Sequence, residues 1–123
     1  MKISGQVKRN SGRGRTLGFP TANLDAQNGG GVDDGIYAGF AEFDDKRLAS
    51  LVFVGAAETF GESEKQVEAY ILDFKGDLYG KELRLEFIKK IRDNQKFETQ
   101  QELVRQMKED ERVAREFFAK KHP

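Results

Sequence analysis

Apolar and polar positions alternate with a period of two along much of this chain, and the pattern changes character once, after Phe97. Over residues 66–73, Val67, Ala69 and Ile71 fall on one side and Glu68, Tyr70 and Leu72 on the other, as in a half-buried strand. Residues 83–91 alternate more clearly, Leu83, Leu85 and Phe87 opposing Arg84, Glu86 and Ile88. Residues 36–43 and 48–54 are rich in β-forming side chains, and Asp44-Asp45-Lys46 between them is short enough for a hairpin. A weaker strand is expected near residues 2–9. Beyond Phe97, Leu103, Met107, Asp110, Ala114 and Phe117 or Phe118 recur at helical spacing, behind a capping-box pair, Thr99 and Glu102. Strands first and one helix last predict an all-β dominated domain, a small antiparallel barrel closed by a C-terminal α-helix. The expected boundaries are a single domain over 1–123, with the barrel at about 1–97 and the helix at about 99–120.

Composition narrows the chemistry. The chain has 123 residues and no cysteine, which excludes disulfides and thiolate metal sites. Its one histidine, His122, lies next to the C-terminus, so a histidine triad, relay or zinc site is not expected. Lysine plus arginine and aspartate plus glutamate number 21 each, a balance that argues against a nucleic-acid partner held by bulk charge. No apolar run reaches the length of a signal peptide or a membrane span. The expectation is a cytoplasmic monomer with no membrane partner.

The most chemically suggestive stretch is Gly12-Arg13-Gly14-Arg15-Thr16-Leu17-Gly18-Phe19-Pro20-Thr21-Ala22-Asn23-Leu24. Glycines admit close backbone approach, two arginines bring positive charge, and Thr21 and Asn23 offer neutral oxygens. Together they suit a polyphosphate carrying Mg²⁺. The plainer reading is a glycine-rich surface turn with solvated arginines. A third is a single-stranded nucleic-acid surface made by Lys8, Arg9, Arg13 and Arg15, with Phe19 and Tyr37 as stacking partners.

Five ordered blocks give the chain a family resemblance. They are Gly12-Arg13-Gly14-Arg15 with Leu17-Gly18-Phe19-Pro20-Thr21-Ala22-Asn23; Gly35-Ile36-Tyr37-Ala38; Val67-Glu68 with Ile71-Leu72-Asp73-Phe74; Asp77-Leu78-Tyr79-Gly80-Lys81-Glu82; and Ile91-Arg92-Asp93 with Lys96-Phe97. With them the chain resembles the ATP-dependent riboflavin kinases (flavokinases), often fused to an FMN adenylyltransferase. The resemblance implies a six-stranded Greek-key barrel with a C-terminal helix. It also implies transfer of the ATP γ-phosphoryl group to the terminal ribityl hydroxyl of riboflavin, giving FMN and ADP, with Mg²⁺ as cofactor.

Carried over residue by residue, the resemblance makes Glu68 the catalytic base and places Thr21 and Asn23 at the metal. Gly12, Arg13, Gly14 and Arg15 then cover the phosphates. Ile71, Asp73 and Tyr79 lie near the adenine, and Arg92, Lys96 and Phe97 hold the flavin ring. Without the family, Glu68 reads as an outward glutamate on an edge strand, Ile71 and Tyr79 as core, and Phe97 as a hydrophobic staple for the helix. Departures from the family pattern are Asn10 for a usual glycine, Ala56-Ala57-Glu58-Thr59 for a usual Thr-Asn-Pro-Thr segment, and Gln95 where some relatives carry lysine. The departures leave open a barrel that binds flavin or nucleotide without turnover.

Overall fold

The computed structural model describes residues 1–8, 18–25, 31–56 and 64–121. Among them are strands β1 (Lys2–Lys8), β2 (Ala22–Leu24), β3 (Gly35–Phe43), β4 (Lys46–Gly55), β5 (Gln66–Ile71) and β6 (Glu82–Arg92), then helix α1 (Gln100–Lys121). All pairings are antiparallel, and the order β1-β2-β5-β4-β3-β6 closes on itself. β5 returns beside β2 after the β3–β4 hairpin, which is a Greek-key connection. Closure removes the unpaired edges that such short strands would otherwise present.

The alternation read from the sequence becomes two faces. Val67, Ala69, Ile71, Leu83 and Leu85 join Val7, Leu24, Tyr37, Val52 and Val54 in the barrel interior. A second apolar cluster lies outside the wall, where Ile36, Ala38, Leu51 and Leu72 pack with Ala114 and Phe118 of α1, and Phe53 and Tyr70 flank them. β4 is therefore buried on both faces, Leu51 beneath the helix and Val52 inside the barrel. A strand buried twice needs no alternation, which is why residues 48–54 read as an apolar run.

Local chemistry sets the ends of the elements. Asp44 and Asp45 have φ of 47° and 61°, the left-handed pair that a two-residue type I′ hairpin requires and aspartate tolerates. Lys46 already belongs to β4. β5 stops at Ile71 rather than 73, because Asp73 takes φ 58° and turns the chain off the sheet. β6 slips register against β3 between Ile36 and Tyr37 and again between Ala38 and Gly39; such bulges bend a long strand around a narrow barrel. At the helix start, Glu102 N–H donates to Thr99 Oγ1 at 3.1 Å, and the Thr99 hydroxyl donates to Glu102 Oε1 at 3.3 Å.

Candidate active site on the outer barrel wall

Antiparallel pairing decides which chain segments meet. The end of β1 lies beside the start of β2, the start of β2 beside the end of β5, and the start of β6 beside the end of β1. One rim therefore gathers Lys8, Thr21, the turn at Leu72-Asp73 and the turn at Tyr79–Lys81. Backbone bonds fasten it: Gly80 N–H donates to Val7 O at 2.9 Å, and Val7 N–H to Lys81 O at 2.8 Å. Asn10 and the predicted phosphate-covering residues Gly12, Arg13, Gly14 and Arg15 lie outside the described residues, as do Ala57, Glu58 and Thr59.

Beside this rim runs a row of cross-strand partners. Lys8 pairs with Asn23, Asn23 with Glu68, Glu68 with Phe53, Phe53 with Ile36, and Ile36 with Arg92. Each strand gives one residue, all on the outward face. Direct partners on neighbouring strands have Cβ atoms about 5 Å apart, so Asn23 and Glu68 leave the wall side by side. The Thr21 hydroxyl donates to Glu68 Oε1 at 3.0 Å. Asn23 is 8% exposed, and its Oδ1 is buried without a hydrogen-bond partner. An acceptor left in that state costs about 1–3 kcal/mol and is poised for a cation or a donor.

The segment before β2 owes its position to an aromatic anchor. Phe19 is buried, and its ring meets that of Tyr70 edge-on, with centroids 5.3 Å apart and planes at 72°. Tyr70 lies two residues beyond Glu68 on the same face of β5. Pro20, with φ fixed by its ring, links Phe19 to Thr21.

A hydroxyl, an unsatisfied amide oxygen and a carboxylate within one corner are hard donors. They fit Mg²⁺, which takes few protein oxygens and fills its shell with water and phosphate. Among the described residues, no group of three or more histidine, cysteine, aspartate or glutamate side chains gathers as an all-protein cage.

The remaining candidates divide. Tyr79 is exposed on the rim, and its N–H donates to Asp77 Oδ1 at 2.9 Å. Asp73 is on the same rim, gripped by Arg115 of α1 at 2.9 and 3.0 Å, and this guanidinium holds its carboxyl below the usual value. Ile71 is not brought to Glu68: it faces the interior at 6% exposure, on the opposite side of β5. Arg92 ends the cross-strand row about three strand spacings, roughly 14 Å along the wall, from Glu68. Its Nε and Nη2 donate to Asp110 of α1, both at 2.8 Å, and its guanidinium carbon lies 5.8 Å from the centre of the buried Phe97 ring. Lys96 and Gln95 are exposed beside it. Phe19 and Tyr37, the stacking partners in the single-stranded nucleic-acid reading, are both enclosed, and Tyr37 donates its hydroxyl to Asp33 O at 2.6 Å.

Sequence reasoning missed the helix side of the site. Asp110 is 1% exposed and also accepts from Gln106 Nε2 at 3.0 Å. Its signal was present as a carboxylate inside an apolar helical stripe, which demands a buried cationic partner. Tyr70, Glu111 and Arg115 had no comparable signal. Burial first, then the Glu111 carboxylate, push the Tyr70 hydroxyl above its usual pKa.

Fold and site together define a small Greek-key barrel that presents hard oxygens and a carboxylate on its outer wall, braced by a terminal helix. The chain belongs to the riboflavin kinase family, whose model matches residues 1–118. It is 38% identical over 125 residues to the bifunctional riboflavin kinase/FMN adenylyltransferase of Escherichia coli (strain K12), an alignment covering 98% of this chain and 39% of that protein. The chain thus spans about two fifths of that relative's length. A crystal structure described as a macrolide-efflux protein from Streptococcus pneumoniae superposes with a TM-score of 0.78 at 35% identity, covering 93% of this chain and 38% of that one. Riboflavin kinase from Trypanosoma brucei shares the fold, with a TM-score of 0.68 at 23% identity over 97% of this chain and 80% of that one. No helix among the described residues is long and apolar enough to cross a membrane.

Proposed function

We propose that this chain transfers the γ-phosphoryl group of Mg·ATP to the terminal ribityl hydroxyl of riboflavin, releasing FMN and ADP. The observation that carries the reading is the corner where Thr21 donates to Glu68 at 3.0 Å beside the unsatisfied Oδ1 of Asn23. Family membership supplies the substrate class.

Thr21 Oγ1 and Asn23 Oδ1 would hold Mg²⁺, which when bound neutralises phosphate charge and fixes the γ-phosphoryl group. Thr21 would serve both, its oxygen offered to the metal while its O–H donates to Glu68. Glu68 aligns the acceptor hydroxyl. A primary alcohol is a very weak acid, so the carboxylate accepts its proton late, as the bond to phosphorus forms. The strand beneath Glu68 keeps that carboxylate from wandering. Arg13 and Arg15, with Gly12 and Gly14, cover the phosphates by charge-assisted hydrogen bonds. The nucleotide base lies toward the rim at Asp73 and Tyr79, and the Ile71 side chain supports that rim from inside. The flavin ring lies toward Arg92, Lys96 and Phe97.

Protein incubated with riboflavin, ATP and Mg²⁺, followed by chromatography of the flavins, tests the reading. FMN should form only with all three present. Glu68→Gln should cut turnover by about 10²–10⁴-fold with ADP affinity nearly unchanged. Folded wild-type protein yielding no FMN above background rejects the proposal. Near-full turnover in Glu68→Gln rejects the assigned base.

A further inference from the structure

One turn of α1 reaches both segments that flank the Thr21 corner. Tyr70 meets the Phe19 ring edge-on, packs against the cluster that Ala114 and Phe118 of α1 complete, and lies within electrostatic reach of the Glu111 carboxylate. Glu111 Oε2 accepts from Arg115 Nε at 2.8 Å. Arg115 then closes two bonds with Asp73, at 2.9 and 3.0 Å, on the turn that follows β5. Thr21 lies outside any strand. Between its hydroxyl and the Phe19 ring stand only Pro20 and Thr21's own backbone, with the proline φ fixed. Where Phe19 is seated therefore sets where Thr21 Oγ1 stands relative to Asn23 and Glu68.

We propose that Tyr70 is a positioning residue. Packed on the apolar cluster that Ala114 and Phe118 of the helix complete, it holds Phe19 and thereby places Thr21 Oγ1 where a magnesium-bound nucleotide is gripped. Tyr70 touches no reacting atom. The inference rests on the phosphoryl-transfer reading for its ligand, but its test does not need turnover. A residue that merely packs would alter stability and leave ligand affinities alone. A positioning residue moves one ligand's affinity selectively, since displacements near 1 Å at a reacting centre are felt up to about a hundredfold.

The experiment compares wild type, Tyr70→Phe, Tyr70→Leu and Phe19→Leu. Mg·ADP binding is measured by calorimetry, riboflavin binding by flavin fluorescence, and KM for Mg·ATP from FMN formation. Tyr70→Leu, which loses both ring and hydroxyl, should weaken Mg·ADP and raise KM for Mg·ATP by about tenfold or more, with riboflavin affinity changed less than about twofold. Tyr70→Phe keeps the ring under Phe19 and should restore most of the lost affinity. Phe19→Leu should reproduce Tyr70→Leu, and it decides the matter if Tyr70→Leu does not fold. Folded variants with unchanged Mg·ADP affinity, or with nucleotide and riboflavin weakened alike, overturn the proposal. Wild type that binds Mg·ADP but makes no FMN defeats the kinase reading alone, and the ADP measurements still decide the role of Tyr70.

Discussion

Replacing Asn23 with valine should stabilise the metal-free protein and sharply reduce its response to magnesium nucleotide. Asn23 lies in β2 at 8% exposure with Oδ1 buried and unbonded. Leaving that oxygen unpaired costs about 1–3 kcal/mol. Valine is close in size, better suited to a strand, and has no oxygen to satisfy. Taking the low end, about 1 kcal/mol, the melting temperature of a domain of this length rises by about 3–5 °C. In the presence of Mg·ADP at a hundred times its Kd, wild type gains about 2.7 kcal/mol by linkage, about two to three times that shift. A variant lacking one of the two protein ligands gains far less. The order of stability therefore reverses, with valine melting higher in EDTA and wild type melting higher with Mg·ADP. Calorimetric melts under the two conditions, with ADP in EDTA as control, give the answer. A valine variant that melts below wild type in EDTA, or that gains as much from Mg·ADP, refutes the assignment of Asn23 Oδ1 to the metal.

The remaining predictions concern the frame around the site. Asp110→Ala should cost about 3 kcal/mol in urea unfolding, the low end for breaking a buried pair, because Arg92 retains partial solvent access at 18% side-chain exposure; a loss under about 1 kcal/mol would mean the pair behaves as a surface bridge. Gly39→Ala should lower stability by more than about 2 kcal/mol, since a Cβ there would stand 2.2 Å from the backbone oxygen of Glu86 across the β3–β6 seam. Gly80→Ala should cost only about 1–2 kcal/mol, from its φ of 82° in otherwise open space; equal losses at the two glycines would contradict the packing argument. Hydrogen bonds from Arg115, Arg47, Lys90 and Arg112 hold the carboxyls of Asp73, Glu86, Asp93 and Glu109 below their usual values. Their stabilisation is complete above the ordinary carboxylate range near pH 4 and is lost as pH falls through the lowered folded values. Urea midpoints should therefore drop on acidification, less steeply in Arg115→Gln, and an unchanged slope in that variant would remove Asp73 from the account.

Periodicity revealed the strands that bury one face, and the capping pair revealed the helix start. β2 escaped because three residues are too few to show a period, and its residues read as site chemistry instead. Yet β2 is the strand that places Asn23 between Lys8 and Glu68. The outward face of Glu68 was legible from the alternation at 66–73; its hydrogen bond to Thr21 was not, because contact between residues 47 apart in sequence depends on closure of the barrel. Ile71 matches an adenine-side position of the family motif, and the parity that turns Glu68 outward turns the Ile71 side chain inward.

That parity also explains why the site is on the outside at all. An eight-stranded barrel is just wide enough for side chains to fill, and a six-stranded one is narrower, so Leu83, Leu85, Val52 and their neighbours fill the interior. Chemistry must use the outer wall, which α1 also needs for its apolar stripe. The two divide it: α1 packs on β3, β4 and β6, while Thr21, Asn23 and Glu68 occupy the wall at β2 and β5. β5 is the boundary strand. Its outward residues face both sides, with Glu68 accepting from Thr21 and Tyr70 set between Phe19 and the helix-side cluster. On the positioning proposal, a shift of the helix against the barrel reaches the Thr21 corner through Tyr70. A shift in the interior packing must reach the same corner through Val67 and Ala69, the residues that flank Glu68 on β5.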